Sequence, residues 1–109
     1  MIFETLNESA ERRELLLVNG GLCHWHLRRD GQITIREILV LPESCSAGVG
    51  RYMVEQLKQV PGALSIFAKC PMDLTANSWY EHLGFQSEGT EITRTGREVQ
   101  LWRLSLHGE

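Results

Sequence analysis

The chain has 109 residues, 42% hydrophobic and 23% charged, with a net charge of -3 and a pI near 5.8. That length suits one domain, residues 1–109, and the composition is globular rather than disordered. The mild acidic balance argues against nucleic acid or an anionic membrane as a partner, and no apolar run reaches membrane-spanning length.

The N-terminal residues MIFETLNESAERRE are acidic and polar, without the basic-then-apolar order of a secretory leader. Three separated cysteines, Cys23, Cys45 and Cys70, form no CxxC pair for zinc or redox work and imply no disulfide framework. A reduced, cytoplasmic setting is the expectation. Residues 4–13 read as a short polar helix or a flexible arm. Leu15 to Val18 is a strand, Asn19-Gly20 a tight turn and Leu22 to Leu27 a second strand. Its alternation puts Cys23, Trp25 and Leu27 on one face and Leu22, His24 and His26 on the other. After the Asp30-Gly31 turn, Ile33 to Leu41 is the longest β-branched run and is predicted as the central strand, stopped by Pro42.

A polar loop of small residues, Glu43 to Ala47, leads into a helix from about Gly48 to Val60, with Val49, Met53, Leu57 and Val60 at helical spacing. Pro61-Gly62 ends it. Ala63 to Cys70 is the next strand. Asp73 is the expected N-cap of a second helix through Trp79, Tyr80 and Leu83, closed by Gly84. Phe85 onward, with a turn near Gly96, forms a final hairpin ending in Val99 to Leu106. The order predicts an α+β domain with a mixed sheet.

The stretch ILVLPESCSAGVGRYMVEQL carries the chemistry. A buried strand runs into a loop whose glycines, Gly48 and Gly50, open an amphipathic helix. Such a junction aims unpaired N–H groups and the positive end of the helix dipole at one point, a setting for a diphosphate. Small residues allow close backbone approach, and Arg51 adds positive charge. A dinucleotide fingerprint would need a third glycine where Met53 stands, and a P-loop would need Lys followed by Ser or Thr.

Val40-x-Pro42, five residues and Gly48-x-Gly50 together resemble the signature of the GCN5-related N-acetyltransferase (GNAT) superfamily. Cys45 stands where that loop usually has Arg or Gln, and Ser46 where glycine is frequent. A second stretch, Asp73 through Ala76-Asn77-Ser78-Trp79-Tyr80-Glu81-His82-Leu83-Gly84-Phe85, resembles the family's Asn-x-x-Ala-x-x-Phe-Tyr-x-x-x-Gly-Phe element. Ala76, Tyr80, Gly84 and Phe85 match, Trp79 replaces Phe, and Asp73 stands at the Asn position.

The resemblance implies a mostly antiparallel sheet with a splayed central strand pair and two main helices. It implies acetyl-CoA as co-substrate, no metal, and direct transfer of acetyl to a primary amine. Main-chain groups of Leu39, Val40 and Leu41 would pair with the pantetheine. The amides of Cys45, Ser46, Ala47, Gly48, Val49, Gly50 and Arg51 would hold the diphosphate, and Asp73 and Tyr80 would contact the arm. Tyr80 falls at the position of the acid that protonates the leaving thiolate, and Glu37 at an acidic position facing the acceptor. His24 and His26 are lesser candidates for the base. A metal site from Cys23, His24 and His26, or an acyl-Cys45 route, is disfavoured.

The family's usual first strand and two helices ahead of the meander are replaced by about thirteen residues before Leu15. That predicts an open acceptor side, suited to a peptide or protein amine. The final hairpin, with Val99, Leu101, Trp102 and Leu104, is expected to offer an edge for a homodimer. The main rival reading is a non-catalytic acyl-CoA-binding sensor or partner subunit of the same fold.

Overall fold

The computed structural model describes residues 14–44 and 48–106. The predicted arm at 4–13 and the loop positions Cys45, Ser46 and Ala47 lie outside the described residues. Six strands and two helices follow in order: β1 (Leu15–Val18), β2 (Gly21–Leu27), β3 (Gln32–Val40), α1 (Val49–Leu57), β4 (Ser65–Pro71), α2 (Ala76–His82), β5 (Gln86–Ile92) and β6 (Glu98–Ser105). A single 3-10 turn at Pro42–Ser44 joins β3 to the loop before α1. No helix among the described residues is long and apolar enough to cross a membrane.

The strands form one sheet in the order β1-β2-β3-β4-β6-β5. Only β3 and β4 run parallel; the other pairs are antiparallel. This parallel step requires a crossover, and α1 supplies it. The expected α+β architecture is the observed one.

Both helices pack on one face. Met53, Val54 and Leu57 of α1 and Tyr80 of α2 join Cys23, Ile33, Ile35, Ile66, Ala68 and Trp102 in a single core. Ile33, Met53, Leu57 and Ile66 are at most 1% exposed, each burial contributing about 1.5–3 kcal/mol. The stripe read at Val49, Met53 and Leu57 is therefore the sheet-facing side of α1. The two helices also touch. A Cβ added to Gly50 would lie 2.6 Å from the Trp79 ring, so Gly50 is fixed by this helix-to-helix approach as much as by any ligand.

Two expectations are corrected. Asp73 does not cap α2: the N-cap is Thr75, with no side-chain cap bond. The loop is instead clamped by Asn77, whose Nδ2 donates to the carbonyls of Pro71 and Leu74, both at 2.9 Å. The free edge of the final hairpin is not the strand carrying Val99, Leu101, Trp102 and Leu104. That strand, β6, pairs on both sides with β4 and β5. The sheet ends instead on β5, exposed along its length, so those four residues offer no edge for a second copy.

Candidate active site

The site begins with an irregularity in β3. His24 pairs with Glu37 and Trp25 with Ile35, which leaves Arg36 as an extra residue. A bulge bends its strand and raises the local twist. It also shifts the side-chain parity. Ile33 and Ile35 face the helices before it, and Ile38 and Val40 after it, so Glu37 and Leu39 point to the opposite face. The β3–β4 ladder stops at the same place, its last pair being Ile35 and Ala68. Beyond that point β3 continues to Val40 and β4 to Pro71 without pairing to each other. The two central strands splay.

The opening is lined from both sides of the sheet. Ile35, Arg36, Glu37, Ile38, Lys69, Cys70, Pro71, Leu74, Ala76 and Tyr80 surround a cavity of ≈ 160 Å³. Tyr80 comes from the helix layer and Glu37 from the strand whose parity the bulge has reversed, so the two predicted catalytic residues border one cavity. Tyr80 is 4% exposed and wedged among Trp79, Phe85 and Trp102, with centroids 4.9, 5.2 and 6.2 Å away. Burial, reinforced by the Cys70 and Cys23 thiols, pushes its phenol above the ordinary tyrosine pKa. It is a group that keeps its proton and can donate it.

A second, mainly apolar cavity of ≈ 320 Å³ lies between Ile38, Val40, Gly50, Thr75, Ala76 and Trp79. It shares Ile38 and Ala76 with the first and leads toward the start of α1. There Gly48 is the N-cap, with φ 81°, a left-handed conformation that other residues resist. Its carbonyl accepts from the Tyr52 amide at 2.9 Å, the first bond of the helix, so the amides of Val49, Gly50 and Arg51 have no intrahelical acceptor. A Cβ on Gly48 would meet nothing within 4 Å. Among the described residues, space before Gly48, donors without an intrahelical acceptor and the positive end of a helix dipole coincide, and the exposed Arg51 is adjacent. The arrangement offers backbone donors at one end, an apolar cavity in the middle, and a buried phenol where the strands part.

Neither a family model nor a curated protein matches the sequence. Solved structures do match the fold. A protein from Desulfovibrio desulfuricans assigned to the GNAT family of acetyltransferases aligns over 95% of this chain and 78% of its own, with TM-score 0.77 and 17% identity. One from Bacillus anthracis, assigned as a streptothricin acetyltransferase and solved with acetyl coenzyme A, aligns over 94% and 69%, with TM-score 0.77 and 21% identity. The ribosomal-protein-S18-alanine N-acetyltransferase of Escherichia coli aligns over 94% and 77%, with TM-score 0.69 and 20% identity.

The chain has the GNAT fold.

Within the GNAT fold the remaining predicted residues fall unevenly. Val40 faces the apolar channel, while Leu39 is exposed on the opposite face. The Leu41 amide donates to the Gly20 carbonyl at 2.9 Å, so that donor is committed within the sheet. Asp73 lines neither cavity; its exposed carboxylate meets Arg97 at 3.4 Å. His26 Nδ1–H donates to Glu14 Oε2 at 2.8 Å. His24 is buried and lies across the ladder from Glu37. Its pKa is lowered, first by desolvation and then by Arg36, with Glu37 and Glu14 opposing.

Three residues of the site were given no site role from the sequence, although Trp79 was matched to the family's Phe. Trp79 walls the channel and packs on Gly50. Asn77 accepts the Trp102 indole N–H at 2.8 Å and so joins α2 to the strand beneath Tyr80. Lys69 stands at the mouth of the opening. The alternation of β4 alone marks Lys69, because Ala68 and Cys70 on either side are apolar and buried. The Asn77 and Trp79 contacts are long-range and leave no local mark.

Proposed function

We propose that the chain is an acetyl-CoA-dependent N-acetyltransferase that moves acetyl to a primary amine by direct attack. One observation carries this reading: the splayed strands bring Tyr80 and Glu37 to a single cavity, and an adjoining apolar cavity reaches the start of α1, whose first amides have no intrahelical acceptor. In that frame Val49, Gly50 and Arg51 hold the diphosphate, and Ile38, Val40, Ala76 and Trp79 line the pantetheine arm. Glu37 attracts the cationic amine and takes its proton, directly or through water. Tyr80 gives a proton to the departing thiolate. Charge that develops on the thioester oxygen is met by main-chain donors on the β4 side of β3, beyond its last pair with β4, an effect worth about 3 kcal/mol per donor.

The acceptor is not fixed by the fold, since one structural neighbour is assigned to streptothricin and another to a protein alanine. A peptide or protein amine is the class we favour. Incubating the chain with acetyl-CoA and separate pools of peptides and polyamines, while following free thiol, tests the reading. Amine-dependent thiol release is expected, strongest with peptides. Coenzyme A binding without thiol release over every acceptor would mark the chain as a sensor of acyl-CoA instead.

A further inference from the structure

The two lysines of this chain, Lys58 and Lys69, occupy opposite kinds of position. Lys69 is the first residue of β4 beyond its last pair with β3, Ala68 with Ile35. Its neighbours Ala68 and Cys70 are buried in the core, so its side chain leaves the sheet on the face away from the helices. Glu37 leaves β3 on that same face, just past the bulge, and both line the cavity that Tyr80 reaches from the other side. Lys69 thus borders the opening, with the proposed base across the gap and the proposed acid at its floor, while its amine reaches the other way, over β6 to β5. Lys69 Nζ now meets Glu91 Oε2 at 2.8 Å, in an ion pair nearly half exposed on both sides. Such a pair is weakly held and readily exchanged for another rotamer.

We propose that Lys69 is itself an acetyl acceptor, so that the protein acetylates its own central strand at the mouth of its active site. The inference rests on the acetyl-transfer reading above. Glu37 takes one proton from the Lys69 ammonium and passes it to water. The freed Nζ lone pair forms a bond to the thioester carbonyl carbon, and the carbon–sulfur bond breaks. The second proton leaves nitrogen as the amide forms and balances the one that Tyr80 gives to the thiolate. The products are Nε-acetyl-lysine and the free thiol of coenzyme A. The reaction abolishes the charge of Lys69 and with it the ion pair to Glu91.

Lys58 supplies an internal control. It is the C-cap of α1, about 15 Å along the helix from Gly48, and it too is held in an exposed ion pair, to Glu55 at 2.9 Å. The two lysines differ in place rather than in bonding. The intact chain is incubated with acetyl-CoA and no added amine, and each lysine is followed by peptide mass mapping in the wild type and in Tyr80→Phe. Lys69 is expected to gain one acetyl group at least about tenfold faster than Lys58, from proximity, and to lose that advantage in Tyr80→Phe. Equal acetylation of both lysines, or a Lys69 rate unchanged in Tyr80→Phe, would show plain chemical acetylation and overturn the inference. An unmodified Lys69 beside thiol release from added peptides would overturn it while acetyl transfer stands. An unmodified Lys69 with no thiol release from any amine would remove both.

Discussion

Gly48→Glu is expected to abolish coenzyme A binding, with a loss of more than about 100-fold measured by calorimetric titration. Gly48 is exposed, and a Cβ there meets no atom within 4 Å, so a side chain projects into the space before the unpaired amides of Val49, Gly50 and Arg51. A carboxylate in that place takes the donors and the dipole end for itself. It also repels the diphosphate: at about 5 Å and an effective dielectric near 20, like charges repel by roughly 3 kcal/mol, which alone is more than about 100-fold. The left-handed backbone at φ 81° adds a strain of about 1–2 kcal/mol for any residue with a Cβ. Gly48→Asn separates the two effects, because asparagine tolerates this conformation and carries no charge. It is expected to bind coenzyme A more weakly than the wild type and far better than the glutamate variant. Unaltered affinity in Gly48→Glu would place the diphosphate elsewhere.

Tyr80→Phe is expected to lower turnover by about 10²–10⁴-fold, the usual contribution of a positioned proton donor, with coenzyme A affinity within about twofold of the wild type. The substitution removes one oxygen and keeps the ring that packs on Trp79, Phe85 and Trp102, so the core and the channel wall persist. The pH dependence follows from the direction of the shift. Desolvation raises the phenol pKa above its ordinary value near 10, so the protonated, donating form is present at every lower pH and is lost only above that value. The wild-type kcat profile therefore has no alkaline limb from Tyr80 below about pH 10. An alkaline fall near neutrality that vanished in Tyr80→Phe would contradict this assignment.

Much of the scaffold was written locally. Asn19-Gly20 set the first hairpin, the run ending at Pro42 set the central strand, and the helical spacing of Val49, Met53 and Leu57 set the face of α1. The bulge was visible only in outline. The helix-facing apolar positions of QITIREILV are Ile33, Ile35, Ile38 and Val40, with Leu39 exposed on the other face, and the missed beat between Ile35 and Ile38 marks the bulge. Periodicity read as a single strand conceals that beat, yet it turns Glu37 away from the helices, and β3 and β4 part at the same point. Asp73 misled because its side chain satisfies the local rule for a cap, whereas the tertiary clamp of Asn77 on Pro71, Leu74 and Trp102 decides where α2 starts. The edge of the sheet was misplaced for a similar reason. Hairpin signals give the pairing of β5 with β6 but not which of the two lies against β4, and β6 takes that place because Trp102 and Leu104 face the core. Gly50 looked like a phosphate glycine from its spacing, and its contact with Trp79 is a second demand that spacing does not show.

The proposed diphosphate site is built from main-chain donors at the start of α1, and amide chemical shifts read those donors directly. Titrating coenzyme A into the nitrogen-15-labelled chain is expected to move the amide signals of Val49, Gly50 and Arg51 most, together with the indole signal of Trp79. A titration in which those four signals stay fixed while others shift, or in which nothing shifts at all, would contradict it.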